Sequence, residues 1–260
     1  MHEIADIACN FTSDRFDNDL DEVIDRAIAN HITKFGLICS RLRDIDKLLE
    51  IYNRYSKNMF FTIGVHPHHA NEINAEYLEK LKEVINKNNP HAIGETGLDF
   101  FRNLSTYEEQ MYAFEEQIKI AIDTNKPLFL HQRDSHEDFI KILRKYSSDI
   151  SKAVVHCFTG TQSQLDDYLE LDCYIGVTGW ICDEKRNVEL RKTIKNIPLS
   201  KIMVETDCPY LIPKDLPHKP KNNRNEPSNL NHIISEVASL MEIDEENLRK
   251  QTFENTINFF

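Results

Sequence analysis

Short runs of consecutive apolar residues alternate along this chain with longer segments whose apolar positions recur every three or four residues. The runs lie at 3–9, 35–39, 60–65, 91–95, 127–131, 152–156, 173–177 and 201–205, and their length and β-branched content predict eight strands. The periodic segments, at 17–30, 42–56, 74–88, 106–123, 134–146, 161–171, 186–196 and 228–240, predict a helix after each strand. In the fourth of these, Met111, Phe114, Ile118 and Ile122 share one face and Ser105 with Glu108 has the form of a capping box. Pro127 then closes the helix and opens the next strand. Strands that are apolar at nearly every position need cover on both faces, which is the condition of a parallel sheet. Eight such units in 260 residues close most economically as one (β/α)8 barrel spanning 1–260. An open doubly wound sheet with a second lobe would bring a composition break and a glycine-rich first turn, and the sequence has neither.

Charge narrows the choice of partners. With 43 acidic against 31 basic side chains the chain carries −12, so a nucleic acid would have to be held by a local basic patch or by bound metal. Seven glycines leave no G-x-G-x-x-G and no phosphate-cradling loop. The six cysteines are spread singly in or beside apolar runs and read as reduced core thiols. No apolar run approaches bilayer length, and the first residues have neither a basic region nor the apolar stretch of a signal peptide. A cytoplasmic monomer without membrane contact is the expectation. The one aperiodic stretch, from Pro209 to Pro227, holds five prolines with Lys214, Lys219, Lys221 and Arg224. These cations either solubilise a long loop or meet a phosphate backbone, and their position just after Asp207 favours the second.

Reactive residue types collect at strand ends. Val65-His66-Pro67-His68 follows the third strand, Gly94-Glu95-Thr96-Gly97-Leu98-Asp99 the fourth and His131-Gln132-Arg133 the fifth. His156-Cys157-Phe158-Thr159-Gly160 follows the sixth, and Glu205-Thr206-Asp207 the eighth. A barrel brings all its carboxyl ends to one mouth, so these side chains converge. A lone strand-end histidine serves a structural role about as often as it binds metal. A carboxylate such as Glu95 after an apolar strand is costly to bury alone, however, and His131, His156 and Asp207 supply a shared cation site. His66 and His68 are expected to contact substrate or metal. Arg133 faces a phosphate or pairs with Asp134 or Asp138, and Glu205 is a further metal carboxylate or a hydrogen-bond acceptor. His69, His91, His136, His218 and His232 read as solvated or packed.

Taken in order, these five motifs resemble those of the TatD family of metal-dependent deoxyribonucleases, and the likeness covers essentially the whole chain. It implies a TIM-barrel hydrolase with Glu95, His131, His156 and Asp207 as ligands of a divalent cation, magnesium before manganese or zinc. It also implies 3′-5′ exonucleolytic attack on DNA, at single strands or 3′ ends. In that scheme Asp207 and Glu95 act in catalysis, Asp207 as ligand and general base, while His66, His68 and Arg133 hold the substrate. One departure stands out: most of the family opens with Asp-x-His-x-His, whereas this chain has Asp6-Ile7-Ala8-Cys9-Asn10. A gap beside Asp207 and one tightly held ion are therefore expected. The rival readings are a small-molecule amidohydrolase or lactonase, which would commonly carry lysine where Glu95 stands, and a degenerate barrel that only binds nucleic acid.

Overall fold

The computed structural model describes residues 2–185, 187–220 and 223–260. Strands β1 Ile4–Cys9, β2 Ile32–Leu37, β3 Met59–Ile63, β4 Ala92–Asp99, β5 Leu128–Arg133, β6 Ala153–Val155, β7 Tyr174–Val177 and β8 Ile202–Val204 form one parallel sheet in sequence order. Between them run α1 Leu20–Ala29, α2 Ile45–Arg54, α3 Ala75–Asn88, α4 Tyr107–Thr124, α5 His136–Tyr146, α6 Gln162–Glu170 and α7 Val188–Thr193, followed by α8 Leu230–Met241 and α9 Glu245–Phe259. This is the (β/α)8 barrel that the alternating pattern predicts.

Closure between β8 and β1 differs from the other seven junctions. Cys9 and Cys208 make one isolated parallel bridge, and Asn10 N donates to Cys208 O at 2.8 Å. Elsewhere along the seam a side chain stands in for the ladder: the buried Asp6 carboxylate accepts from Thr206 N at 2.9 Å and from Thr206 Oγ1 at 2.5 Å. Because buried backbone donors must be paired, Asp6 does at this junction what a strand carbonyl does at the others.

Three local features depart from the sequence pattern. Strand β2 starts at Ile32, since the half-buried Thr33 and Lys34 interrupt the apolar run without interrupting the pairing of Ile4 with Ile32 and Ala5 with Lys34. Strand β4 continues past Glu95 to Asp99, paired through Asp99 with Arg133 of β5, although its second half is polar. The capping box of α4 is one residue later than the sequence suggests: Thr106 Oγ1 accepts from Glu109 N, and Glu109 Oε2 accepts from Thr106 N at 2.7 Å. Ser105 is turned inward, where its Oγ accepts from Asn71 N at 3.2 Å.

Helix α9 has no counterpart among the predicted elements. Its buried face is Leu248, Arg249, Thr252, Asn255, Thr256 and Phe259, too polar to show apolar periodicity. Polar contacts replace it: Asn255 Nδ2 donates to Leu199 O and Ile202 O, both at 2.8 Å. Phe259 then enters the barrel interior among Ile7, Ala8, Ile38, Ala92, Phe129, Val154 and Met203. The floor of the barrel is thus sealed with apolar side chains, and polar chemistry is confined to the opposite, carboxyl end.

Candidate active site

Glu95, His131, His156 and Asp207 line one cavity of about 1400 Å3 at the carboxyl end of the strands, with His66, His68, Asp99 and Arg133. Strand β4 supplies both Glu95 and Asp99, four residues apart and on one face. Close packing sets their approach to β5. Gly97 has φ +145°, and a Cβ there would stand 1.9 Å from His131 O, so no other residue brings the two strands this near.

Three imidazoles converge on one carboxylate oxygen. Glu95 Oε1 lies 2.7 Å from His156 Nε2, 3.0 Å from His131 Nδ1 and 3.4 Å from His66 Nε2. The Asp99 carboxylate is the member that the sequence motifs contained but did not single out. Its Oδ2 lies 2.8 Å from His68 Nε2 and 3.3 Å from His131 Nε2. Asp207 is held from the first strand, where Asn10 Nδ2 donates to its Oδ1 at 2.9 Å. The expected gap at Asn10 is therefore filled by the asparagine's own amide. Ala8 lies in the barrel interior, away from solvent.

Glu205 is fully buried behind His156, its Oε1 accepting from Cys157 N and its Oε2 3.4 Å from His156 Nδ1. That position puts it behind the ring, facing Nδ1, while Nε2 faces Glu95. Arg133 is exposed at the rim, its guanidinium 3.8 Å over the Phe101 ring, which is 57% exposed. Stacking leaves its N–H donors free to point at a ligand.

The protonation pattern reports a site built for a cation. Burial opposes ionisation of Glu95, yet His66, His156 and His131 hold its carboxyl well below the usual range. Burial likewise opposes ionisation of Asp99, and His131 and His68 overcome it. Burial disfavours charge on His131 and His156, but the surrounding carboxylates push both imidazoles up. His66, shielded by burial, is pushed down to about 4. Burial raises Asp207 to about 7, against the pull of His156. The protons on His131 and His156 thus balance buried carboxylates. A divalent cation could take over that balance with the rings neutral and ligating, so the donor set fits a metal. His66, Glu95 and His131 offer ligand atoms within 4.8 Å of one another.

The cations of the basic loop divide in two. Arg224 is 4% exposed, forked onto Asp19 at 2.6 and 2.7 Å, paired with Glu226 at 2.8 Å and stacked on Phe16. It fastens the loop to the body and does not face a polyanion, contrary to the sequence expectation. Lys214 and Lys219 are exposed and line a second cavity of about 400 Å3 with Arg15, Trp180 and Tyr210. Trp180 and Tyr210 also line the mouth, so the groove and the mouth are continuous. Lys221 lies outside the described residues. Of the histidines set aside, His136 is packed against Tyr168 with Nε2 2.8 Å from Asp167, and His91 sits among Tyr52, Phe60 and Phe61.

A parallel barrel whose carboxyl end gathers imidazoles and carboxylates around one point is of the metal-dependent hydrolase class. Residues 5–260 match the TatD related DNase family, and the chain belongs to it. It is 40% identical over 258 residues to the 3′-5′ ssDNA/RNA exonuclease TatD of Pantoea ananatis, covering 98% of each chain. The protein of the same name from Shigella flexneri is 42% identical over 233 residues, 90% of this chain and 89% of its own. A solved TatD family hydrolase from Entamoeba histolytica is similar at a TM-score of 0.90 with 30% identity, over 100% of this chain and 98% of that one. A TatD homologue from Escherichia coli K12, 23% identical, shares the fold at a TM-score of 0.91 over 99% and 97% of the two chains.

Proposed function

We propose that this enzyme hydrolyses phosphodiester bonds of single-stranded DNA, and of RNA as its relatives' names suggest, from the 3′ end. The observation that carries the reading is the convergence of His66, His131 and His156 on Glu95 Oε1 beside Asp207. Glu95, His131, His156 and Asp207 would hold the divalent cation, and His66 stands close enough to join them. Magnesium, or manganese with it, is the ion that the family resemblance and the carboxylates suit, whereas the imidazole-rich donors favour zinc. A bound cation supplies Lewis acidity toward a phosphoryl oxygen and acidifies water at neutral pH.

The chain's own residues supply the rest. Asp207 would hold the cation with one carboxylate oxygen and take a proton from the attacking water at the other. Arg133 and His68, which line the same mouth, would hold the phosphate at the rim and steady its growing charge. Glu95 and His156 are only 6% and 4% exposed, so a phosphate has to descend below the rim to reach them. A free strand end can do this, whereas a backbone tied into a duplex cannot. Exposed Phe101 and Tyr210 present ring faces on which unpaired bases could stack. No helix of the described residues is long and apolar enough to cross a membrane, and the six free thiols support a reducing, cytoplasmic setting. The small-molecule and non-catalytic alternatives are not favoured by any of these features.

The decisive experiment compares single-stranded oligonucleotides labelled at the 5′ end or the 3′ end, and their duplexes, after chelation and readdition of metal. A 5′-labelled single strand should shorten stepwise, a 3′-labelled one should release mononucleotide at once, and the blunt duplex should resist. Equal rates on duplex and single strand, or internal cleavage, would overturn the reading.

A further inference from the structure

Beyond the mouth, ligand-type side chains gather at a second place near the surface. Cys182 ends the turn Gly179–Cys182 after β7, Asp215 lies in the long loop after β8, and His232 stands in the first turn of α8. One donor atom from each lies within 4.8 Å of the other two, and His232 Nε2 is 2.7 Å from Asp215 Oδ1. We infer that Cys182, Asp215 and His232 form a second divalent-cation site, suited to zinc, which clamps the loop after β8 to the body of the barrel.

The donor chemistry is the first reason. Thiolate, imidazole and carboxylate are the ligands zinc takes, three from the protein with one position left for water. Thiolate and carboxylate together carry the two negative charges that a divalent cation neutralises. Tetrahedral ligands at about 2.0–2.1 Å stand roughly 3.3 Å apart, so the exposed Asp215 needs to shift from His232 by less than about 1 Å to admit the ion.

Local charge is the second reason. Cys182 is 2% exposed and its thiol faces the Asp215 carboxylate, with Glu236 and Arg191 as the next charged groups. Arg191 is already engaged, its Nη1 2.6 Å from Glu236 and its Nη2 3.9 Å from Glu184. A further cation is what the cluster lacks, and its uptake would release the Cys182 proton. The remaining cluster of this kind among the described residues, Asp6 with Cys9 and Cys208, is different. It is fully buried, and Asp6 already accepts from Thr206 and Ala8.

Packing is the third reason. A Cβ on Gly179 would stand 2.6 Å from Leu211 O and 3.0 Å from Pro213 Cγ, so turn and loop are already in contact where the ion would join them. The clamped loop carries Tyr210, Lys214 and Lys219. On the nuclease reading, and only for this consequence, losing the clamp should raise KM for single strands while leaving kcat within about twofold.

The test reads the metal directly. Protein stripped with a chelator is titrated with Co2+, and the near-ultraviolet thiolate-to-cobalt charge-transfer band is followed. The nitrogen and oxygen donors proposed at the mouth cannot give that band, and Cys157→Ser controls for the one thiol lining it. Wild type and C157S should show the band, saturating at one ion per chain. C182S should lose it, and D215N and H232A should bind Co2+ at least about tenfold more weakly at this site. D215N changes an exposed loop residue and cannot fail by unfolding the barrel. In an H131A/H156A protein with the proposed active-site ligands removed, Zn2+ should still raise Tm. No band in wild type, a band that survives C182S, or unchanged cobalt affinity in D215N would overturn the site whether or not the enzyme degrades DNA.

Discussion

His156 is gripped from two sides, Nε2 against Glu95 and Nδ1 toward Glu205. A ligand held this way has its tautomer and angle fixed before metal arrives, and removing the rear partner commonly costs 10–100-fold in metal affinity, about that much here. Glu205→Gln should therefore weaken metal binding by about 10–100-fold, measured by calorimetry, while the fold stays intact. Gln also removes a charge that raises His156, so the pH dependence of metal binding should move to lower pH; an unmoved profile would reduce Glu205 to packing. The sign for the native site follows from the same groups. His131 and His156 ligate only when neutral and both are pushed up, so protons compete with metal above the ordinary imidazole value of about 6.5. Asp207, near 7, adds to the same trend. Metal affinity should fall as pH drops through neutrality, by up to about tenfold per unit for each proton released. His131→Ala and His156→Ala should abolish hydrolysis with the circular dichroism unchanged. Near-normal rates at limiting metal in either would make that histidine structural.

At the scale of elements, the barrel is weakest where β8 meets β1 and depends there on a side chain. Asp6→Ala would leave Thr206 N and Oγ1 unpaired in a buried seam, a loss of about 2–4 kcal/mol in urea denaturation, with Asp6→Asn costing less because it keeps an acceptor. A loss below about 0.5 kcal/mol would mean that the seam closes without it. The interior depends on α9: Phe259→Ala should cost about 3–5 kcal/mol, because its ring fills the barrel floor among strand side chains such as Phe129 and Met203. Strands and α1–α8 were legible because each has an apolar run or stripe. The polar half of β4, the Asp6 closure and α9 were not, since hydrogen bonds hold them and leave no periodic signature.

At the scale of the whole molecule, an acidic chain of −12 has to gather a polyanion locally. Arg15, Lys214 and Lys219 of the groove and Arg133 at the rim place positive charge beside the mouth. Lys214→Ala with Lys219→Ala should raise KM for single-stranded DNA more than it lowers kcat and should flatten its salt dependence, whereas Arg224→Ala should destabilise the protein. Unchanged KM and salt slope in the double variant would leave these lysines as solvated surface. The alternation of apolar runs and helical stripes determined the barrel, because burial on both sheet faces is written one residue at a time. The strand-end motifs likewise named Glu95, His131, His156 and Asp207, since a barrel has only one end at which they can lie. Tertiary structure alone decided that Asn10 reaches Asp207, that Asp99 bridges His68 and His131, and that Arg224 is spent on Asp19. Each of these pairs joins residues tens to about two hundred positions apart. Such contacts follow from how strands are registered and loops returned, which no local pattern of hydrophobic and polar residues records.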